Sequence, residues 1–363
     1  MDSQTIILIG VVIYVAIMLA VGILAAGKSS SMTEFAVSGR NMSLTVCSIS
    51  IIATWFGSGP MMGSAAGAYA GNKLEVLRDP LVSGVSLLIA GFFFVRTYRR
   101  SNRTTHVEFY ETRIGNLAGV ISSFVNLIAG AIWLGGVLFA FGVVFNPLTG
   151  QPAAFGVLAG TAVIVIYTMF GGLSAVAATD VLQMVFIIIG VVILFLVVVS
   201  DAGGWQVVAH QLPDHAFDFT PAGNTFKDWF AYFQVWFSSG LVAIGVLSLV
   251  QRAMAARNEQ VAQNAFYIAG VSYLLFGMIP VTLGYVATIT MPGIRVVKDP
   301  SDALRLAVAR WSVPVVAVIS LYTAFNTSSV ISAIAIAVSV GFAAMSAPFI
   351  LSIWWSKLNS VGG

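Results

Sequence analysis

Residues 54–63 read TWFGSGPMMG, and they place a helix-breaking sequence in the middle of an apolar run that extends from 43 to 71. Gly57, Gly59 and Pro60 favour a turn, because proline cannot donate the backbone hydrogen bond that a helix interior needs. An unpaired backbone group costs several kcal/mol in lipid, so such a break is tolerated only where protein buries it or a wet cavity reaches it. The break therefore indicates either a binding site or a simple kink whose small residues allow close helix packing.

The composition indicates an integral membrane protein. The chain has 363 residues, of which 58% are hydrophobic and 9% charged, whereas a soluble domain has about 25% charged residues. The net charge of +3 gives no reason to expect a nucleic acid partner. With one cysteine, Cys47, and three scattered histidines, we expect no disulfide, no cofactor and no metal site beyond a transported cation. No nucleophile–base–orienter set is visible, so we expect no enzyme.

Apolar stretches of membrane-spanning length predict an all-α polytopic protein of about ten transmembrane helices in a single domain, 1–363. The stretches lie at 5–26, 43–71, 80–96, 118–146, 154–171, 178–200, 229–250, 264–291, 312–327 and 330–355. The first is longer than the apolar core of a signal peptide, about 7–15 residues, so we expect it to stay in the protein.

Lysine and arginine predict the orientation in a plasma (inner) membrane. The segments 96–117 and 251–263 carry arginines and should be cytoplasmic, and the acidic segment 201–228 should be external, which places the N-terminus outside. Residues 104–117 then form either a short amphipathic stretch at the cytoplasmic surface or a plain polar loop. If successive loops alternate between the two sides of the membrane, the segment 292–310 should lie outside, yet it carries basic residues. Either this is a basic external loop, or one membrane crossing is missing before it.

Residues 171–183 read GGLSAVAATDVLQ and place Asp180 in an otherwise uncharged apolar segment. An ionisable residue inside a membrane helix is a functional hypothesis by default, because its burial costs at least about 2.5–3.5 kcal/mol. The alternative is a capping role, in which Thr179 or Asp180 accepts hydrogen bonds from the first N–H groups of the helix.

The stretch 171–183 closely resembles a hallmark of the sodium:solute symporter family. The stretches 54–69, 250–262 and 346–363 resemble the first core helix, a cytoplasmic loop and the tenth core helix of that family, in the same order. The resemblance, which covers most of the chain up to about 304, implies sodium-coupled symport of a small organic solute by alternating access.

The family's fold implies a five-plus-five inverted-repeat core preceded by an extra helix at 5–26, with repeats at 43–200 and 229–355. The hydroxyl-rich run of the eighth core helix is not found after 298–304, so we expect an incomplete second repeat without the helices that follow the core. Two alternatives to a working symporter stay open: a truncated or internally deleted scaffold without sodium coupling, and a membrane sensor module of the same fold.

The resemblance also implies roles for individual residues. The backbone carbonyls of Ala53 and Phe56 would bind Na⁺, and Asp180 matches an acidic residue implicated in cation handling. Trp55 departs from the pattern, because many family members carry a polar or acidic residue there.

For the solute, three tryptophans on core helices would flank the cavity and hold a cationic amine through their aromatic faces, namely Trp55, Trp133 and Trp236. Asp79 could pair with the amine, while Ser58, Gly59 and Ser239 would contact any polar solute. The alternatives are tryptophans that anchor helices at the membrane interface and a loop ion pair between Asp79 and its neighbour Arg78.

Overall fold

The computed structural model describes residues 3–26, 31–212, 216–221 and 223–293. In these residues the chain is almost entirely helical, and the β-structure is an isolated parallel bridge between Met42 and Ala256. The all-α prediction is therefore confirmed. The predicted spans 312–327 and 330–355, and the predicted absence of an eighth core helix, lie outside the described residues.

The described part contains fifteen α-helices. They are α1 (Ser3–Ala26), α2 (Met32–Val37), α3 (Leu44–Trp55), α4 (Ser64–Tyr69), α5 (Lys73–Val76), α6 (Ser83–Phe93), α7 (Val95–Arg100), α8 (His106–Arg113), α9 (Asn116–Thr149), α10 (Ala153–Asp201), α11 (Trp205–Gln211), α12 (Phe226–Gly240), α13 (Val242–Gly245), α14 (Leu247–Ala255) and α15 (Glu259–Thr290). Two wider helical turns, Gly59–Gly63 and Leu77–Val82, lead into α4 and α6.

Five helical stretches of the described residues are long and apolar enough to cross a membrane, and the number rises to seven if each bent pair counts as one span. The five are Thr5–Ala25, Lys73–Phe93, Asn116–Thr149, Gly172–Asp201 and Glu259–Thr290. The bent pairs are Leu44–Trp55 with Gly59–Tyr69, and Phe226–Gly245 with Leu247–Ala255. The predicted span 154–171 corresponds to the first part of α10, which contains the shorter apolar stretch Ala153–Val163.

A glycine divides α10 where the sequence predicts two separate spans. Gly172 has φ +55° and ψ −171°, a conformation that residues with a Cβ rarely adopt. A Cβ at this position would also lie 2.9 Å from the carbonyl oxygen of Phe35 in α2. Gly172, the second residue of the 171–183 stretch, therefore permits a sharp change of direction and a close contact with α2.

The helix α15 packs against α3, α4 and α6, so it supports the helices that surround the break in the first core span. Gly284 makes part of this contact possible, because a Cβ there would collide with the carbonyl oxygen of Ala65 in α4. The buried residues Phe266, Ala269 and Tyr273 extend the same face of α15 into the main hydrophobic core.

The segment 104–117 contains an amphipathic helix, α8. Its first turn is capped by Thr105, whose hydroxyl accepts a hydrogen bond from the N–H of Glu108 at 3.1 Å. Phe109 and Tyr110 are buried, while Glu111 is exposed. The plain polar loop is therefore wrong and the stretch contains an amphipathic helix, while its place at the cytoplasmic surface stays a prediction.

Candidate functional site

The first core span is interrupted at the sequence that predicts a break. The helix α3 ends at Trp55, the helical path resumes at Gly59, and the two axes differ by 49°. Between them, the N–H of Gly57 donates to the carbonyl oxygen of Trp55 at 2.8 Å, a turn too tight for an α-helix. Pro60 then occupies the first turn of the second segment, where its missing N–H is tolerated.

The break removes the regular helical donors of two carbonyl groups. In an uninterrupted α-helix the carbonyl of Ala53 would accept from the N–H of Gly57, which bonds to Trp55 instead. The carbonyl of Phe56 would accept from residue 60, and Pro60 has no N–H. Ala53 and Phe56 are the residues whose carbonyls the sequence predicts as sodium ligands. The structure therefore supplies a local reason why these oxygens could accept a cation, and their role as ligands stays a prediction.

A cavity of about 480 Å³ opens beside the break. Cavities of about 300–1,000 Å³ are typical of small-molecule sites. The predicted site residues that line it are Ala53, Trp55, Gly57, Ser58, Gly59, Asp79 and Ser239. The predicted residues that meet at this cavity thus come from the break, the helical span 73–93 and α12.

Four predicted residues do not line this cavity. The side chain of Phe56 is buried and packs edge-on against Tyr273, with ring centroids 5.8 Å apart. Pro60 is buried in the turn that follows the break. Trp236 packs with the hydrophobic cluster around Val82. Asp180 belongs to a separate buried network, described below.

Asp79 faces the cavity from a kink in the span 73–93. Its backbone is extended, with φ −139° and ψ 116°, as expected for a residue before a proline, here Pro80. Its Oδ1 accepts a hydrogen bond from the Tyr273 hydroxyl at 2.7 Å. The sequence interpretation that places Asp79 in a loop ion pair with Arg78 is wrong. Asp79 lies inside the helical span Lys73–Phe93, and the two side chains form no ion pair within the described residues.

Aromatic side chains line the cavity near Asp79. Trp55 and Trp133 both line it, and Trp133 comes from α9. The ring of Trp55 meets Tyr273 edge-on at 6.3 Å. A carboxylate beside aromatic faces is a suitable environment for an organic cation, because the faces carry negative electrostatic potential.

A second polar cluster connects three helices, and none of its side chains lines the cavity. Arg252 in α14 donates from Nη2 to Asp180 Oδ2 in α10 at 3.1 Å and from Nε to Ser50 Oγ in α3 at 2.8 Å. The Ser50 hydroxyl also donates to Asp180 Oδ2. The side chains of Arg252 and Asp180 are only 7% and 10% exposed. This ion pair is therefore isolated from water, and removal of either partner would leave a buried charge.

This network changes two sequence interpretations. Asp180 does not cap a helix, because it lies eight residues beyond the Gly172 kink, and the Thr179 hydroxyl donates back to the carbonyl of Val176 at 2.9 Å. Arg252 is not a loop residue, since it is buried in the last turn of α14. The role of Asp180 in cation handling stays a prediction, and its Oδ2 is held by Arg252 in this structure.

The sequence does not predict the contacts of Tyr273 and Arg252 in these two clusters. Tyr273 lies in a continuous apolar helix, where a tyrosine gives no signal by itself, and Arg252 falls in the segment 251–263 that its arginines predict as cytoplasmic. Among the described residues, no group of three or more histidine, cysteine, aspartate or glutamate side chains could hold a metal ion.

Comparison with known proteins gives one family and a set of distant relatives. The model of the Sodium:solute symporter family matches residues 35–300. High-affinity choline transporter 1 of Drosophila melanogaster is 27% identical over 290 residues, which are 78% of this chain and 45% of the relative. Sodium-coupled monocarboxylate transporter 2 of Bos taurus is 25% identical over 256 residues, 66% of this chain and 40% of the relative. The chain thus spans less than half the length of either relative.

The fold also matches a solved structure. A Na⁺-coupled sialic acid symporter in a substrate-bound, outward-open state superposes with a TM-score of 0.66 over 98% of this chain and 75% of that chain. The sequence identity is 16%, so the likeness concerns the fold. It supports an inverted-repeat transporter architecture for the helices described above.

Proposed function

Because the chain belongs to the sodium:solute symporter family, we propose that it moves a small organic solute across the membrane together with Na⁺ by alternating access. The family is one of transporters and not of enzymes. In this proposal the protein lies in the plasma membrane with its N-terminus outside, as the arginine-rich segments predict.

The break in the first core span carries this proposal. Unwound backbone carbonyls at broken helices coordinate Na⁺ in many secondary transporters, while the cavity beside them takes the solute. Here the carbonyls of Ala53 and Phe56 have lost their regular helical donors, and Ala53 also lines the cavity. We assign these two oxygens to the coupling ion and the adjacent cavity to the solute. Asp180 would take part in the cation pathway only in a conformation that releases it from Arg252.

We propose that the solute carries a cationic amine. Asp79 supplies the negative charge in the cavity, and Trp55 and Trp133 supply aromatic faces. The choline transporters among the relatives favour an organic cation. Ser58 and Ser239 line the same cavity and would contact the polar part of the solute. Trp236 packs with the cluster around Val82, so it has no role in this proposal.

The first experiment compares thermal unfolding of the purified protein in NaCl and in KCl at equal ionic strength. An ion that binds only the folded state stabilises it by RT ln(1 + [L]/Kd), which is about 2.7 kcal/mol at one hundred times Kd. We expect a sodium-specific rise in melting temperature, followed by sodium-driven uptake of radiolabelled choline into proteoliposomes.

The variant that tests the break is Gly57→Pro. It removes the N–H of residue 57 and therefore the hydrogen bond to the carbonyl of Trp55 in the turn. We expect this variant to lose the sodium-specific rise. Equal melting temperatures of the unsubstituted protein in both salts, together with no sodium-driven uptake, would contradict the proposal and favour a scaffold that retains the fold without coupling.

A further inference from the structure

The cavity contains a positive charge beside the negative one. Arg78 and Asp79 are consecutive, and both line the cavity. Both lie in the first two turns of the membrane-spanning stretch Lys73–Phe93. An arginine at such a position is costly unless it meets a partner or water, because the guanidinium stays charged.

Among the described residues, the Arg78 guanidinium has no hydrogen-bonding partner. Its Nε is buried without one, and none of the four ion pairs of the described residues includes Arg78. The carboxylates of Glu75 and Asp79 lie within electrostatic reach and offset part of the charge. Neither of them fills the guanidinium fork, which binds a carboxylate through two parallel hydrogen bonds when one is available.

Asp79 also retains a free acceptor. Its Oδ1 accepts from Tyr273, while its Oδ2 has no hydrogen bond in the described part of the chain. The cavity wall thus offers, at the kink in the span 73–93, an acceptor oxygen with negative charge and a donor fork with positive charge. A purely cationic solute would satisfy the first group and leave the second unpaired.

We infer that the cavity takes a zwitterion, whose cationic amine meets Asp79 Oδ2 and whose carboxylate meets the Arg78 guanidinium. The inference rests on the proposed function and adds the second charge of the solute to it. Because Arg78 and Asp79 are neighbours in sequence and line one cavity, a compact zwitterion is the first ligand to test. A zwitterion also leaves the cavity neutral, since each charge of the protein meets one opposite charge of the ligand.

Four probes of nearly equal shape separate the two charges. Glycine betaine carries a trimethylammonium group and a carboxylate, and 3,3-dimethylbutanoate is its carbon analogue without the positive charge. Choline carries the ammonium group and a hydroxyl, and 3,3-dimethyl-1-butanol is its uncharged carbon analogue. Binding of each is measured by calorimetric titration in detergent and by melting temperature, both at fixed NaCl. We expect glycine betaine to bind at least about tenfold more tightly than choline or 3,3-dimethylbutanoate.

Variants of Arg78 test the contact directly. We expect Arg78→Gln to weaken glycine betaine about tenfold or more and to leave choline within about threefold, because only the carboxylate loses its partner. Arg78→Lys keeps the charge without the planar fork and should give an intermediate affinity for glycine betaine. This second variant keeps the test informative if Arg78→Gln fails to fold.

Glu75→Gln and Arg100→Gln are the controls. Glu75 is the rival partner of Arg78 on the same helix and does not line the cavity, while Arg100 forms an exposed ion pair with Glu259. If Arg78 serves only to balance Glu75, the Arg78 and Glu75 variants will change the melting temperature alike and will leave glycine betaine affinity unchanged. That result would overturn the inference.

The outcome also separates this inference from the proposed function. Two results would reject the zwitterion while sodium-specific stabilisation still supports sodium binding. In the first, choline binds as tightly as glycine betaine; in the second, glycine betaine does not bind. Absence of sodium-specific stabilisation together with absence of sodium-driven uptake rejects the proposed function, whatever the probes do. Tighter binding of glycine betaine that depends on Arg78 supports the inference.

Discussion

The hydroxyl oxygen of Tyr273 lies 2.7 Å from Oδ1 of Asp79, and so it joins the long helix α15 to the cavity-lining kink of the second core span. The same oxygen lies 3.3 Å from the carbonyl oxygen of Trp55, at the end of α3. A hydroxyl donates one proton, and the shorter contact assigns it to the carboxylate. Tyr273 therefore touches both the solute side and the break side of the proposed site.

Tyr273→Phe removes this hydroxyl and keeps the edge-on ring contacts. We expect the free energy of unfolding to fall by about 1.5–3 kcal/mol, because Asp79 loses its charge-assisted hydrogen bond. Tyr285→Phe is the control on the same helix and should change stability by less than about 0.5 kcal/mol. Equal effects of the two substitutions in denaturant unfolding would show that the Asp79 contact is not stabilising.

Pro60→Ala restores the N–H that would donate to the carbonyl of Phe56 in an uninterrupted helix. We expect the sodium concentration for half-maximal stabilisation to rise about tenfold, since a competing hydrogen bond of about 1 kcal/mol has a comparable effect on affinity. Pro280→Ala makes the same chemical change inside α15, away from the break, and should leave sodium stabilisation unchanged. An identical sodium titration for Pro60→Ala and the unsubstituted protein would contradict the assignment of the Phe56 carbonyl as a sodium ligand.

Because Arg252 and Asp180 form a buried ion pair, we expect the stability losses of substitutions at the two positions to be strongly non-additive. Arg252→Met alone should destabilise the protein by about 3–5 kcal/mol, because it leaves a buried carboxylate without its counter-ion. Asp180→Asn added to Arg252→Met should recover a large part of this loss, since it removes the stranded charge. Denaturant unfolding of the two single variants and the double variant measures the coupling, and simple addition of the two losses would contradict a paired role.

Gly284→Ala tests the close approach of α15 and α4. The added methyl group would meet the carbonyl of Ala65, so we expect a loss of about 1–3 kcal/mol from overpacking. Gly10→Ala in α1 is the matched control, because nothing lies within 4 Å of the position its Cβ would take. If both substitutions leave the melting temperature unchanged, the helices are not held at this distance by packing.

His106 predicts a pH dependence of stability. Burial lowers the pKa of His106 to about 4 from its ordinary 6.5, and its Nε2 accepts a hydrogen bond from Asn126 at 3.2 Å only in the neutral form. A lowered histidine pKa contributes stability that is complete above pH 6.5 and is lost as the pH falls towards 4. Between pH 7.5 and 5 the unsubstituted protein should lose about 2 kcal/mol.

His106→Gln is the comparison for this prediction. Glutamine does not titrate in this range, so the variant should lose about 2 kcal/mol less than the unsubstituted protein over the same interval. Melting curves of both proteins at pH 7.5, 6.5, 5.5 and 5 give the difference. Parallel pH profiles would mean that His106 is not the titrating group.

Much of the helical architecture was predictable from hydropathy and from the sequence 54–63. Apolar length predicts the spans, and the unusual density of glycine and proline predicts the break, because both signals are local in sequence. The long α10 was harder, since Gly172 changes the chain direction without ending the helical pattern. The inverted-repeat boundaries at 43–200 and 229–355 stay predictions.

The site was predictable only in part. Ser58, Gly59 and Asp79 come from the two irregular segments, and those segments meet at the cavity. The sequence predicts Trp236 at the cavity because it lies in α12. The rotation of α12 about its axis decides which face of the helix meets the cavity, and Trp236 lies on the face that packs with the cluster around Val82. Partners such as Tyr273 with Asp79, or Arg252 with Asp180, join residues more than seventy positions apart, and one sequence carries no signal for such pairs.

The short stretch from Ala53 to Phe56, with two residues between them, places the proposed ion and solute on one structural hinge. Trp55 lies between those carbonyls, its own carbonyl contacts Tyr273, and Tyr273 holds Asp79. Two ligands that act on one hinge are thermodynamically linked, and the factor by which Na⁺ raises solute affinity must equal the factor by which solute raises Na⁺ affinity. An unknown solute is therefore detectable from the sodium side, as any compound that lowers the NaCl concentration needed for half-maximal stabilisation.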